Sequence, residues 1–172
     1  MLRLLVHVEG QTELSFVNKL LGEYLLAIGY KSVSARLGGN PRKQRGGIRP
    51  WKSFRRDILR HLKEDHSAIT GTMVDYYALP RDWPGRADAP LKSSTSERAE
   101  HVEAALLADI AEQMGKRFDS RRFVPLVMMH EFEALLFSDP DGFAREIGRD
   151  DLAAELHLIR ETTDLARVKR IP

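Results

Sequence analysis

The sequence reads as an α/β protein: a mostly parallel four-stranded sheet, helices on both faces, and a short helical tail at the C-terminal end. Three observations lead there. Apolar runs of strand length alternate with stretches of helical spacing in the order βαβαβαβ. Turn-forming residues such as Gly10, Gly29, Gly38 and Pro140 stand at the joints. The composition, 42% hydrophobic and 30% charged over 172 residues, is that of one ordinary globular domain. We therefore expect a single domain over residues 1–172, with the tail beginning at about 140.

Taken in order, Leu2 to Val8 is an apolar run broken by Arg3 and His7, as in a buried strand. Thr12 is placed to cap the next helix, with Glu13 in its first turn. Leu14, Val17, Leu20, Leu21, Tyr24, Leu25 and Ile28 follow at helical spacing, and Gly29 can end the helix. Val33, Ala35 and Leu37 alternate with polar residues, as in a strand exposed on one face. A loop from Gly38 to Arg49 leads to Pro50, which suits a helix start, and Trp51, Phe54, Ile58 and Leu62 mark one face of that helix. Ile69 to Tyr77 reads as the third strand. After a proline-rich loop, Ser94 and Glu97 form a capping box for a helix reaching about Met114. Phe123 to Met129 reads as the fourth strand, His130 to Phe137 as a short helix, and two further short helices follow Pro140.

There is no cysteine, so disulfides and thiolate metal sites are excluded. The first residues turn charged too soon for a signal peptide, and no apolar run has the length of a membrane span, which makes the cytoplasm the expected location. Net charge is only +2, yet it is unevenly spread. Between Tyr24 and Arg56 there is no acidic residue and there are nine basic ones. Such a block suits a phosphate backbone, which Lys and Arg bind with little sequence readout. Arg42, Lys43, Arg45, Arg49 and Lys52 are the expected contacts. The rival reading is a solvated surface, or one matched to an acidic partner protein. Trp51 shares a face with Phe54 and Ile58, so it is expected in the core rather than stacked on a base.

Acids gather at one edge by topology. In an open parallel sheet, ligands bind beyond the carboxyl ends of the strands. Glu9 follows the first strand, Asp75 ends the third, and Glu131 and Glu133 follow the fourth. Carboxylates packed together repel, so such a group calls for a cation, and oxygen ligands favour Mg²⁺ or Mn²⁺. Each acid also has a simpler reading: Glu9 as a turn residue, Asp75 as the cap of its loop, Glu131 as a first-turn helix acid, Glu133 paired with an arginine. His7 and His130 adjoin these acids, and for both a structural, hydrogen-bonded role is the expected one.

Val8-Glu9-Gly10-Gln11-Thr12-Glu13 resembles the opening motif of Toprim domains, as found in topoisomerases, primases and the overcoming-lysogenisation-defect nucleases. Glu9 matches their Glu, and Asp75 the first Asp of their Asp-x-Asp. Tyr77 stands where the second Asp would be, with Asp82, Asp88 or Glu131 as conceivable substitutes. With Met73 to Gly85 and His130 to Pro140 added, nearly the whole chain resembles a bacterial family of Toprim-related proteins, the domain of unknown function four-two-seven-six. A Phe-Glu like Phe132-Glu133 occurs in the Toprim-like RloB proteins of phage-defence loci. The resemblance implies metal-dependent hydrolysis of phosphodiesters, with Glu9, Asp75 and Glu133 catalytic, Mg²⁺ or Mn²⁺ held by Glu9, Asp75, Glu131 and Glu133, and water as nucleophile. It also implies nucleic acid as substrate and an ATPase partner in a phage-defence system. Two alternatives stand beside it: a non-catalytic module binding nucleic acid or a partner through a degenerate site, and a small-molecule phosphotransferase or phosphatase.

Overall fold

The computed structural model describes residues 2–38, 48–129 and 132–162, the side chains of Phe132, Glu133 and Leu135 excepted. Arg42, Lys43, Arg45, His130 and Glu131 lie outside the described residues. The chain divides into two compact units, Met1–Met129 and His130–Pro172.

In the first unit, β1 (Arg3–Val8) lies between β2 (Ser32–Leu37) and β3 (Ala68–Asp75), and every pairing is parallel. Beyond β3 come two short pieces, β4 (Phe123–Val124) and β5 (Val127–Met128), both paired with β3. The order β2-β1-β3-β4 gives four parallel tracks. The expected single fourth strand is thus interrupted, and Pro125 is the reason, since it has no N–H for the ladder. Leu126 bridges the gap by donating to the Thr72 carbonyl at 3.1 Å and accepting from the Val74 N–H at 3.3 Å. The carboxylate of Glu103 takes the Val127 N–H at 2.8 Å and anchors the second piece.

The helices follow from the apolar spacing. Between β1 and β2 the chain is helical through α1 (Gln11–Phe16), a wider π-type segment (Val17–Leu21) and α2 (Gly22–Ala27). Gly10, not Thr12, occupies the cap position, and the Glu13 carboxylate folds back onto the Gly10 N–H at 3.1 Å. Gly29 ends this helical stretch at φ +105°, as expected. α3 (Trp51–Glu64) and α4 (Thr95–Met114) supply seven of the fifteen buried residues of the described core. Trp51, Phe54, Ile58 and Leu62 of α3 are all buried, as their spacing predicts. Ser94 and Glu97 form the expected capping box on α4. Gly85, at φ +74°, lets the preceding loop approach α4 so closely that a Cβ would lie 2.9 Å from Ala105.

Trp51, Phe54 and Trp83 pack with ring centroids 4.8–6.3 Å apart. Their polar atoms are placed as carefully as the rings. The Trp51 indole N–H donates to Asp109 at 2.9 Å, the Trp83 indole N–H donates to the Arg49 carbonyl at 3.0 Å, and Arg55 closes on the same Asp109 at 2.8 Å. A buried indole without an acceptor would leave a donor stranded, so these bonds fix where the rings can sit.

In the second unit, the expected short helix is present as a 3-10 segment (Phe132–Ser138). The tail then forms α5 (Pro140–Glu146), a 3-10 turn (Asp150–Leu152) and α6 (Ala153–Thr162). Asp139 caps α5 through the Gly142 N–H at 3.1 Å, and Phe137 meets Phe143 edge-on at 6.5 Å. Among the described residues no helix is long and apolar enough to cross a membrane.

Arg122 holds the far end of α3. Its guanidinium donates to the carbonyls of Leu62 at 2.8 Å, Asp65 at 2.6 Å and Ala68 at 3.3 Å, closing the turn from α3 into β3. Charge-assisted bonds to helix-end carbonyls are among the stronger ones. Arg122→Ala should lower stability by about 2 kcal/mol, seen in urea titration as a lower midpoint with an unchanged slope; an unchanged midpoint would show that these bonds are replaced by water without loss.

Candidate functional site

The strand order decides where a ligand can sit. From β1 the chain steps outward to β2, then returns past β1 to β3 and continues to β4. The winding therefore reverses at β1, and the crossover helices leave the β1/β3 junction in opposite directions. In sheets of this kind that junction, at the carboxyl edge, forms the binding crevice.

Two of the predicted acids stand there. Val8 is paired with Met73, so Glu9 and Asp75 follow on adjacent strands. A Glu9 carboxylate oxygen accepts the Asp75 backbone N–H at 3.3 Å. Asp75 turns one oxygen onto the Tyr77 N–H at 3.0 Å, an Asx turn that lifts the chain away from the sheet. Tyr76 is buried, with Arg86 stacked 4.2 Å from its ring centre. Tyr77, where the resemblance expects a second Asp, is 61% exposed. Asp82, a conceivable substitute, is engaged elsewhere: it accepts the Trp51 N–H at 2.8 Å and caps α3.

Met128 of β5 pairs with Asp75, and Glu131 and Glu133 follow it three and five residues on in sequence. The structure of Glu131 and the side chain of Glu133 are outside the described residues. Among the described residues, no group of three or more His, Asp or Glu side chains is drawn together. What the described residues hold at this edge is a pair, Glu9 and Asp75. No Lys or Arg among them forms an ion pair with Asp75.

With this geometry in view, comparison with protein families gives one result. A family model, Domain of unknown function (DUF4276), matches residues 8–165. The chain belongs to the DUF4276 family. No curated protein and no solved structure matches it. Glu9, Asp75, Glu131 and Glu133 all lie inside the DUF4276 match.

The basic residues expected to bind phosphate divide in two in this DUF4276 chain. Arg49 is turned inward: it donates to the Gly38 carbonyl at 2.5 Å and pairs with Asp57 at 2.7 Å. Burial pushes the Asp57 carboxyl up, but the hydrogen bond and charge of Arg49, aided by Arg60, hold it below the ordinary range. Arg49 thus joins the start of α3 to the end of β2. Lys52 is exposed on the outward face of α3.

Sequence reasoning missed a chain of nitrogen contacts beneath the site. His7, on β1 two residues before Glu9, is fully buried. Its Nε2 lies 3.1 Å from His61 Nδ1, and His61 Nε2 lies 3.2 Å from the Arg36 guanidinium. Arginine only donates, so His61 Nε2 must accept and its Nδ1–H must donate to His7. His7 then carries its own proton on Nδ1, an atom buried with no partner. A charged His7 would face both burial and the neighbouring His61, and its pKa is lowered to about 3. The only hint in the sequence was a histidine inside an apolar strand.

The pH consequence has a definite sign. Above pH 6.5, His7 is neutral whether the protein is folded or not. Below that, only the unfolded chain takes up the proton, so stability falls as pH drops from about 6.5 toward 3. Between pH 7 and pH 5 the loss from this group is roughly 2 kcal/mol. Denaturant titration at both pH values should show a smaller difference for His7→Gln than for the native chain. Equal differences would mean that His7 accepts a proton in the folded state.

Proposed function

We propose that this protein is a metal-dependent phosphodiester hydrolase of the Toprim type, acting at the carboxyl edge between β1 and β3. The observation that carries the proposal is the placement of Glu9 beside Asp75 at the point where the winding of the sheet reverses. The donor chemistry fits a hard cation: oxygen ligands, no thiol, and at Asp75 no ion pair among the described residues. Asp75 would hold Mg²⁺ or Mn²⁺ at this edge, with Glu9 as a further ligand; a metal role for Glu131 and Glu133 is what the resemblance implies. When bound, such a metal polarises the phosphate and lowers the pKa of a bound water.

The chain's own residues supply the rest. Glu9 is the candidate general base or acid, because its carboxylate is held at the crevice by the Asp75 N–H. Asp75 is fixed in orientation by its bond to the Tyr77 N–H. Water, rather than a tyrosine brought by another domain, is the nucleophile in this reading. A nucleic acid is the substrate, a cytoplasmic setting agrees with the absence of cysteine, and an ATPase partner in phage defence is the context the resemblance implies. The rival reading, a binding module with a degenerate site, draws on Tyr77 in place of the second Asp.

The test is cleavage of labelled plasmid and single-stranded substrates with Mg²⁺, Mn²⁺ or EDTA. Glu9→Gln and Asp75→Asn are informative because each keeps an oxygen acceptor for its backbone N–H and removes only the charge. Both variants should keep their melting temperature and lose at least about 100-fold in rate. Cutting that persists in both, or an absence of metal-dependent cutting together with no metal binding by calorimetry, would overturn the proposal.

A further inference from the structure

We infer that the outward face of α3 is a track for a nucleic-acid backbone, leading away from the Glu9/Asp75 edge along the side of the domain. The inference rests on the proposed function for the identity of what is bound, and on separate observations for where it binds.

The row is regular. Lys52, Arg56 and Arg60 follow one another at four-residue steps and Lys63 ends it, all four exposed. On a helix, four residues rise ~6 Å, so the row spans ~16 Å with its charges on one side. With Arg55, Leu59 and the acid Glu64 of α3, and Gln113 of α4, these residues line an open groove of about 910 Å³. Among the described residues, Lys52, Arg56 and Lys63 form no ion pair, and Arg60 meets Asp57 and Glu64 only at 3.8 Å. The neighbouring arginines that do have close partners, Arg49 and Arg55, are committed to Asp57 and Asp109 and stand off the row. The fold thus neutralises the arginines that build the core's rim and leaves Lys52, Arg56 and Lys63 of the outward row without an ion pair among the described residues.

The row also begins in a suitable place. A helix that returns the chain between parallel strands runs against them, so the Trp51 end of α3 lies toward the carboxyl edge. Two contacts tie it there: Arg49 donates to the Gly38 carbonyl, and the Gly38 N–H donates to the Val8 carbonyl at 2.7 Å, one residue before Glu9. A strand whose phosphate sits at the crevice would meet Lys52 first and then the rest of the row.

The chemistry favours nucleic acid over an acidic protein. Protein interfaces draw their affinity from buried aromatic or apolar anchors, and lysine is depleted from their centres. The aromatic residues of α3 are turned inward and buried, and no aromatic side chain lines the groove, whose apolar residues are Pro50 and the half-buried Leu59. A phosphate backbone needs no such anchor, only spaced cations.

The test is fluorescence anisotropy of a labelled oligonucleotide, single- and double-stranded, in EDTA so that no cleavage intervenes. The proteins compared are the native chain, the triple variant Lys52→Gln/Arg56→Gln/Lys63→Gln, and Glu9→Gln. The native chain should bind, weakening between about 50 and 200 mM salt with a slope of about 0.7–0.9 per phosphate contacted. The triple variant, its melting temperature unchanged, should bind at least about tenfold more weakly, its slope smaller by about two to three. Glu9→Gln should bind at least as well as the native chain, and a native chain that binds but shows no metal-dependent cutting would count against the catalytic reading alone. No binding by the native chain, equal binding by the triple variant, or competition by polyglutamate as effective as by unlabelled oligonucleotide would overturn the inference; the last outcome would assign the row to an acidic protein.

Discussion

Parallel strands cannot be joined by a tight turn, so each step in this sheet needs a crossover that carries the chain back to the starting edge. Crossovers of one hand, taken first outward from β1 to β2 and then back across to β3, must lie on opposite faces. The gap they leave at the β1/β3 junction is a necessity of the path. The paired acids of the first unit are arranged around it. Glu9 and Asp75 stand in the gap because they directly follow paired residues, and the six-residue register of β1 against β3 keeps them abreast. A slip by one residue would turn Asp75 to the other face of the sheet and leave Glu9 without its N–H partner.

α3 ties this edge to the core. Its inward face is apolar and aromatic, but its position is set by polar contacts: Asp82 at its first turn, Asp109 on the Trp51 indole, Arg49 across to Asp57, and Arg122 at its last carbonyls. Apolar packing alone would tolerate small slides of the helix along the sheet. A set of directional bonds at both ends does not. His7 contributes in another way, through a neutral ring whose tautomer is dictated from outside by Arg36. Burying that ring neutral keeps a third positive charge away from Arg36 and Arg49.

Much of this was legible beforehand because it depends on short-range pattern. The inward face of α3, the capping box at Ser94 and the helix stop at Gly29 each rest on residues a few positions apart. The alternation of elements was enough to place Glu9 and Asp75 at one edge. Pro125 was visible too, and its missing N–H accounts for the broken fourth strand. What escaped reading depends on pairings across the chain. Arg49 looked like every other basic residue of its block, and only the fold shows Asp57 facing it. Asp82 looked free to serve a metal, and is occupied by α3. Arg60 and Lys63 lie past Asp57, where the acid-free stretch ends, so a count of charges along the chain missed a row that a helix makes continuous. Nothing in Val17 to Leu21 signals the wider turn found there.

That wider turn has an effect on the open side of the sheet. β2 is an outermost strand, and a bare parallel edge invites a strand from another molecule. Asn18, inside the widened segment, sets its amide oxygen 2.9 Å from the Ala35 N–H and occupies a donor that an incoming strand would use. Arg36 adds a charge on the same strand. One extra residue in a helical turn thereby covers one of the open N–H groups of this border with the chain's own side chain.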